Sequence, residues 1–166
     1  MKIREVSLND AKVLSEIYNY YIEHTAITFE TSPLSEKEMG ERIKSLTESR
    51  QPYYVGELNG KVVGYYYMHQ WNARCAYACT KEVTVYLDKD YTGRGLGSLL
   101  YKHMLERVDR ERTHILLAGI CIPNESSVRL HEKFGFVQVS HMKEVGKKFG
   151  EWRDVGHWTL LLNDEK

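Results

Sequence analysis

Apolar positions along the chain follow two periods, and the points where one gives way to the other divide it into elements. Ile3 to Val6 alternates and predicts a first strand. Leu14, Ile17, Tyr18, Tyr21 and Ile22 then recur at helical spacing, behind Ser7 and Asp10 in the spacing of a capping box. Ser35 and Glu38 repeat that device ahead of Met39, Ile43 and Leu46, the buried stripe of a second helix. The segment Thr25 to Thr31 hangs between these two anchored helices and reads as a lid or a pocket rim. Period two returns in Tyr53 to Leu58 and Lys61 to Gln70, joined by Asn59-Gly60, a two-residue hairpin signal. A strand ending at Leu87 is followed by a glycine turn and a helix, with Leu96, Leu99, Leu100, Met104 and Val108 on one face. His114 to Cys121 is a compact apolar strand, and a strand-helix-strand unit of this length implies parallel pairing. Pro123-Asn124 opens a further helix that Gly135 ends; Phe136 to Met142 and Arg153 to Leu162 close the chain as an antiparallel pair around a polar loop, Lys143 to Trp152. The pattern predicts an α+β fold: a mixed, mostly antiparallel sheet with one central parallel strand pair.

A length of 166 residues fits one domain, 1–166, with room for a substantial core. Lys plus Arg (23) balances Asp plus Glu (23), and no block of like charge stands out. Nucleic acid and anionic membrane are therefore not expected as partners. The start of the chain lacks a signal-peptide pattern and the apolar run Ile115 to Ile122 is too short to span a bilayer, so a cytoplasmic location is expected. Cys75, Cys79 and Cys121 lack the usual zinc spacing; Cys121 reads as a small hydrophobe in a buried strand, the other two as free thiols, and no metal is expected. Twelve tyrosines and three tryptophans are a large aromatic load, suited to core packing or to a pocket wall.

The chemistry concentrates after the strand Val83-Thr84-Val85-Tyr86-Leu87, in Tyr91-Thr92-Gly93-Arg94-Gly95-Leu96-Gly97-Ser98. Three glycines let the backbone bring several N–H groups to one ligand, and a helix N-terminus points the same way, which suits a phosphate. The spacing is neither that of a nucleotide triphosphatase loop nor that of a dinucleotide fold. Together with Asn124 and the run Ser127-Val128-Arg129-Leu130-His131-Glu132-Lys133-Phe134-Gly135-Phe136, the turn resembles the coenzyme A site of the GNAT acetyltransferases. Thr92 departs from that superfamily, which usually has Gln or Arg there. The resemblance implies helices on both faces of the sheet and a parallel pair splayed around coenzyme A. It also implies that acetyl-CoA is the acetyl donor, held by Gly93, Arg94, Gly95, Leu96, Gly97, Ser98 and Asn124, with its pantetheine arm against the backbone of Val85, Tyr86 and Leu87.

A closer likeness runs through Thr28-Phe29-Glu30-Thr31, Trp71-Asn72-Ala73-Arg74-Cys75-Ala76-Tyr77, Thr80-Lys81-Glu82-Val83-Thr84-Val85-Tyr86 and Lys148-Phe149-Gly150-Glu151-Trp152-Arg153-Asp154-Val155-Gly156. These stretches resemble the phosphinothricin and methionine sulfoximine acetyltransferases. That family implies N-acetylation of a small amino-acid-like amine and a homodimer. Amine acetylation needs a proton acceptor and a proton source for the departing thiolate. Period two sets Glu82, Thr84 and Tyr86 on one face, where the Glu82 carboxylate can take the amine proton; a solvated strand charge is the alternative. His131 stands where many of the superfamily carry a proton-donating Tyr, and an imidazole titrates in the right range. Arg74 is suited to an acceptor carboxylate, and Phe29, Trp71 and Tyr77 to the cavity wall. Lys147, Lys148 and Arg153 read as a solvated charged face. Acetylation of a polyamine, a peptide amino terminus or another amine, and coenzyme A binding without turnover, remain alternatives.

Overall fold

The computed structural model describes residues 1–162; the last four positions of the expected domain, 163–166, lie outside the described residues. Its strands are β1 (Lys2–Glu5), β2 (Tyr53–Leu58), β3 (Lys61–Gln70), β4 (Thr80–Leu87), β5 (Ile115–Ile122), β6 (Val137–Lys148) and β7 (Glu151–Leu161). Its α-helices are α1 (Ala11–His24), α2 (Glu36–Glu48), α3 (Leu96–Arg107) and α4 (Glu125–Lys133). The strands form one sheet in the order β1-β2-β3-β4-β5-β7-β6, and β4–β5 is its single parallel pair. This is the mixed sheet that the pattern predicts.

Local chemistry sets the elements. Asn59 and Gly60 take φ of 52° and 79°, the backbone that a tight turn between twisted strands requires, and so set β2 against β3. At the start of α2, Glu38 N–H donates to Ser35 Oγ (3.2 Å) while Ser35 N–H donates to the Glu38 carboxylate (2.7 Å). Ser7 and Asp10 are joined the same way at 2.8 Å, but around a short 3-10 turn that precedes α1. Asp10 also accepts two hydrogen bonds of 2.8 Å from the Arg4 guanidinium, fixing β1 to α1.

Each face of the sheet buries its own core. Leu14, Ile17 and Ile22 of α1 and Met39 and Ile43 of α2 cover Tyr53, Val55 and Tyr65 on one face. Leu100, Tyr101 and Met104 of α3 cover Tyr66, Met68, Val83 and Leu116 on the other. Helices therefore lie on both faces. Leu99, expected inside, is 46% exposed, and Tyr101 (0%) takes the inward position.

The closing pair differs from expectation. The stretch read as a polar loop from Lys143 to Trp152 continues β6 to Lys148 and starts β7 at Glu151, around a turn at Phe149-Gly150. β6 is the sheet's outer strand, exposed along most of its length and irregular in register on both sides of Met142. An edge strand wetted on both faces has no reason to alternate, so its pattern imitates a loop. Lys148 is not solvated as expected: it is 3% exposed and its ammonium donates to the Thr28 carbonyl at 2.7 Å.

Candidate active site

β4 and β5 pair only from Thr80↔Ile115 to Glu82↔Leu117, although β4 continues to Leu87 and β5 to Ile122. Past that point the strands part, and β4 turns an edge without a β5 ladder toward the gap. A cavity of about 940 Å³ occupies the gap, walled by residues 82–87 of β4, by the glycine turn and by the start of α4.

At one end stands the glycine turn. Gly93 and Gly95 hold φ of 71° and 76°, and a Cβ on either would meet nothing within 4 Å. Both therefore border open space in a backbone conformation that side-chain-bearing residues avoid. α3 begins immediately afterwards at Leu96, so the N–H groups of its first turn have no acceptor within the helix, and its positive end faces the cavity. Gly97 lies against Leu130 and Leu87, where a Cβ would make ordinary contacts of 3.4 and 3.6 Å. Ser98 Oγ accepts a hydrogen bond of 3.0 Å from Lys133, a cation beside the helix start that the sequence did not single out. Two expected contacts have other surroundings. The Leu96 side chain is buried in the core, and Arg94 lies over the Tyr91 ring at 5.0 Å instead of among the lining residues. The donor set that remains, backbone amides beside a cation, fits a diphosphate.

Along the wall, Val85 and Leu87 pack toward the α3 core, while Tyr86 points to the opposite face, with ring centroids 5.0 Å from Tyr18 and 5.2 Å from Tyr21. The Leu87 carbonyl already accepts a hydrogen bond of 2.6 Å from Tyr21. Burial pushes the Tyr21 phenol up to about 12, so it remains a donor across the neutral range. Asn124 caps α4, its side-chain oxygen accepting from Ser127 N–H at 3.2 Å, and also borders the cavity.

Glu82 is half-buried at the last rung of the parallel pair, its side chain 32% exposed. Across the β3–β4 ladder stands His69, with Nε2 3.7 Å from the Glu82 carboxylate and Nδ1 3.0 Å from the Gln70 carbonyl. His69 was not visible as a site residue, because its relation to Glu82 is fixed by strand register alone. His131, in α4, is 7% exposed among Tyr101 and Phe136. Its Nδ1 is 2.7 Å from the Ser127 carbonyl, which can only accept, so Nδ1 carries the proton. Burial pushes the ring's pKa down, against a smaller opposing effect of that hydrogen bond. At neutral pH the ring is uncharged and has a lone pair, rather than a proton, at Nε2.

The expected acceptor wall is not brought into the cavity. Trp71, Arg74 and Tyr77 sit in the exposed segment 71–79 before β4, with the Trp71 and Tyr77 rings edge-on at 5.0 Å. Phe29 packs on Gly146 of the β6–β7 hairpin, so closely that a Cβ there would overlap its ring. Tyr18, Tyr67, His69 and Thr28 line that side instead. Thr28 is pinned by the Tyr18 hydroxyl (2.7 Å) and by Lys148, and Glu30 by Arg42 (2.7 and 2.9 Å). The segment 25–31 is a fastened rim more than a free lid.

A family model described as an acetyltransferase (GNAT) domain matches residues 3–157. The chain belongs to this acetyltransferase family. It is 37% identical over 158 residues to a phosphinothricin N-acetyltransferase of Streptomyces viridochromogenes, covering 95% of this chain and 86% of the relative. It is 33% identical to the L-methionine sulfoximine/L-methionine sulfone acetyltransferase of Salmonella typhimurium, covering 99% and 96%. Among solved GNAT structures, that of yncA from Salmonella typhimurium with its cofactor acetyl-CoA superposes with a TM-score of 0.95 at 31% identity, covering 100% of this chain and 96% of the other.

Proposed function

We propose that the protein transfers the acetyl group of acetyl-CoA to the amino group of a small amino-acid-like molecule of the phosphinothricin or methionine sulfoximine and sulfone type. One observation carries the reading: the cleft where β4 and β5 part has a diphosphate-binding turn at one end and a carboxylate at the other. The Salmonella relative solved with acetyl-CoA, and the relatives acting on amino-acid analogues, support it.

The amides of Gly93 to Ser98 hold the diphosphate, with Arg94 and Leu96 contributing backbone only. The open edge at Val85, Tyr86 and Leu87 receives the amides of the pantetheine arm beside Asn124. Acetyl-CoA supplies an acyl carbon activated as a thioester. Glu82 takes a proton from the acceptor ammonium, directly or through water, which frees the nitrogen lone pair. His131, neutral and fixed through Ser127, positions the reacting groups by accepting at Nε2. Phe29, Trp71, Arg74 and Tyr77 form an outer rim, since segment 71–79 leads into β4 two residues ahead of Glu82. There Arg74 meets the acceptor's carboxylate.

The described residues act as one acetyltransferase domain, which pairs as a homodimer. Support for pairing comes from the β6–β7 hairpin at the sheet's edge, where Val137, Val139, Phe149 and Trp152 are 58–66% exposed. A cytoplasmic location suits the exposed thiols of Cys75 and Cys79. Among the described residues no helix is long and apolar enough to cross a membrane.

The test is release of coenzyme A thiol from acetyl-CoA against a panel of phosphinothricin, methionine sulfoximine, methionine sulfone, common amino acids, polyamines and peptides. Preference for the amino-acid analogues is expected. Activity confined to polyamines or peptides would replace the acceptor, and binding of acetyl-CoA without thiol release on any amine would leave a coenzyme A-binding module.

A further inference from the structure

Two polar rungs come close across the parallel pair. His69 pairs with Glu82 in the β3–β4 register, and Gly119 with His157 and His157 with Ser140 on the other side. Glu82 itself is registered with Leu117, two residues before Gly119, and the absent side chain of Gly119 leaves space between the two rungs. A Cβ there would lie 3.7 Å from Glu82 Oε1 and 3.8 and 3.9 Å from Cδ2 and Nε2 of His157. A carboxylate oxygen and an imidazole edge therefore both lie within van der Waals reach of one point over Gly119; Glu82 and Gly119 line the cavity, and His157 stands just outside that lining, reached across Gly119. The far side of the imidazole is held: Ser140 Oγ lies 2.7 Å from His157 Nδ1.

We propose that His157 is a second arm of the acceptor site, binding the acceptor amine opposite Glu82 and so aiming its lone pair. The proposal rests on the acetyl-transfer reading above. In the tautomer whose Nδ1–H donates to Ser140 Oγ, which the proposal assigns, the ring presents the Nε2 lone pair to the space over Gly119. The arriving ammonium passes one proton to Glu82. One of the two remaining N–H groups donates to Glu82 Oε1 and the other to His157 Nε2. A nitrogen held at both N–H groups has its lone pair directed, which is the orientation that speeds an attack on a neighbouring carbonyl. As the N–C bond forms and the C–S bond breaks, one N–H stays on the amide, the other proton leaves with the thiolate as coenzyme A thiol, and Glu82 returns the proton it took to solvent. His157 keeps its own proton throughout. Gly119 serves by absence, since any side chain would occupy the place of the amine.

The test compares wild type with His157→Phe, His157→Gln and Ser140→Ala, using methionine sulfone as the acceptor. Thiol release, acetyl-CoA affinity and melting temperature are read for each. Positive charge develops on the nitrogen as the N–C bond forms, so losing a hydrogen bond to it should lower the acceptor kcat/KM of His157→Phe about 10- to 100-fold, with acetyl-CoA affinity unchanged. His157→Gln, which retains an acceptor near Nε2, should recover part of the loss. Ser140→Ala should lose less, in the same direction. Unchanged acceptor kcat/KM in a folded His157→Phe overturns the assignment while leaving acetyl transfer standing. So does an equal loss of acetyl-CoA affinity. A wild type that releases no thiol with any amine overturns both.

Discussion

Gly95→Ala and Gly60→Ala form a matched pair that separates backbone strain from ligand binding. Both glycines hold left-handed backbone, φ of 76° and 79°, and at both a Cβ would meet nothing within 4 Å. Neither substitution creates a clash, so each costs only conformational strain, about 1–2 kcal/mol. At about 2–4 °C per kcal/mol for a chain of this size, both variants should melt about 2–8 °C below wild type. Their ligand behaviour should diverge. Gly60 lies in the β2–β3 turn, whereas the open space beside Gly95 is where the diphosphate sits. A methyl group there displaces the ligand from amides whose charge-assisted hydrogen bonds contribute about 1.5–3 kcal/mol each. Losing one of them raises the acetyl-CoA Kd about 10- to 150-fold, at 1.4 kcal/mol per factor of ten. Calorimetric titration of the three proteins, alongside their melting curves, reads both quantities. Equal acetyl-CoA affinity in Gly95→Ala and Gly60→Ala would refute the placement of the diphosphate at this turn.

Three further outcomes are expected. Glu82→Gln keeps size and hydrogen bonding but cannot take a proton, so kcat should fall about 10²- to 10⁴-fold with acetyl-CoA affinity intact; a kcat near wild type would leave Glu82 as a wall residue. Arg74→Ala should raise the acceptor KM without changing acetyl-CoA affinity, and esterified acceptors should lose their disadvantage; an unchanged KM would make Arg74 a surface residue. His131 titrates lower in the fold than in the unfolded chain because it is buried. Its contribution to stability is therefore whole above the unfolded value of about 6.5 and is lost as pH drops below it, at most about 1.4 kcal/mol per pH unit. Melting temperature measured from pH 7.5 to 5.0 should fall less steeply in His131→Gln, and identical slopes would assign the acid limb to other groups.

What the sequence disclosed follows from the range of the forces involved. Asn59-Gly60 located its hairpin because two adjacent residues determine such a turn. Ser35 and Glu38 located the start of α2 because a cap acts over three residues. The glycine turn was legible for the same reason, as a local device for presenting N–H groups. Lys148 was misread because its burial comes from Thr28, far away in the chain, and nothing nearby distinguishes it from the solvated Lys147. Leu99 was misread because it and Tyr101 stand on opposite flanks of the helical stripe, and the sequence does not show which flank meets the core. The approach of Glu82 and His157 over Gly119, with His69 beside Glu82, depends on the β3–β4 and β5–β7 registers, which no single segment carries. Period two identified Glu82 as facing the Tyr86 side, but it could not show what stood across the sheet.

The most direct test of the cleft between β4 and β5 as an acetyl-CoA site is the melting temperature of the wild-type protein titrated with acetyl-CoA. A ligand that binds only the folded chain adds about 2.7 kcal/mol at a hundredfold excess over its Kd. For a chain of this size that corresponds to a rise of about 5–11 °C. A saturable rise of that order, much reduced in Gly95→Ala, is the predicted result. No rise at saturating acetyl-CoA, or one that Gly95→Ala retains in full, would contradict it.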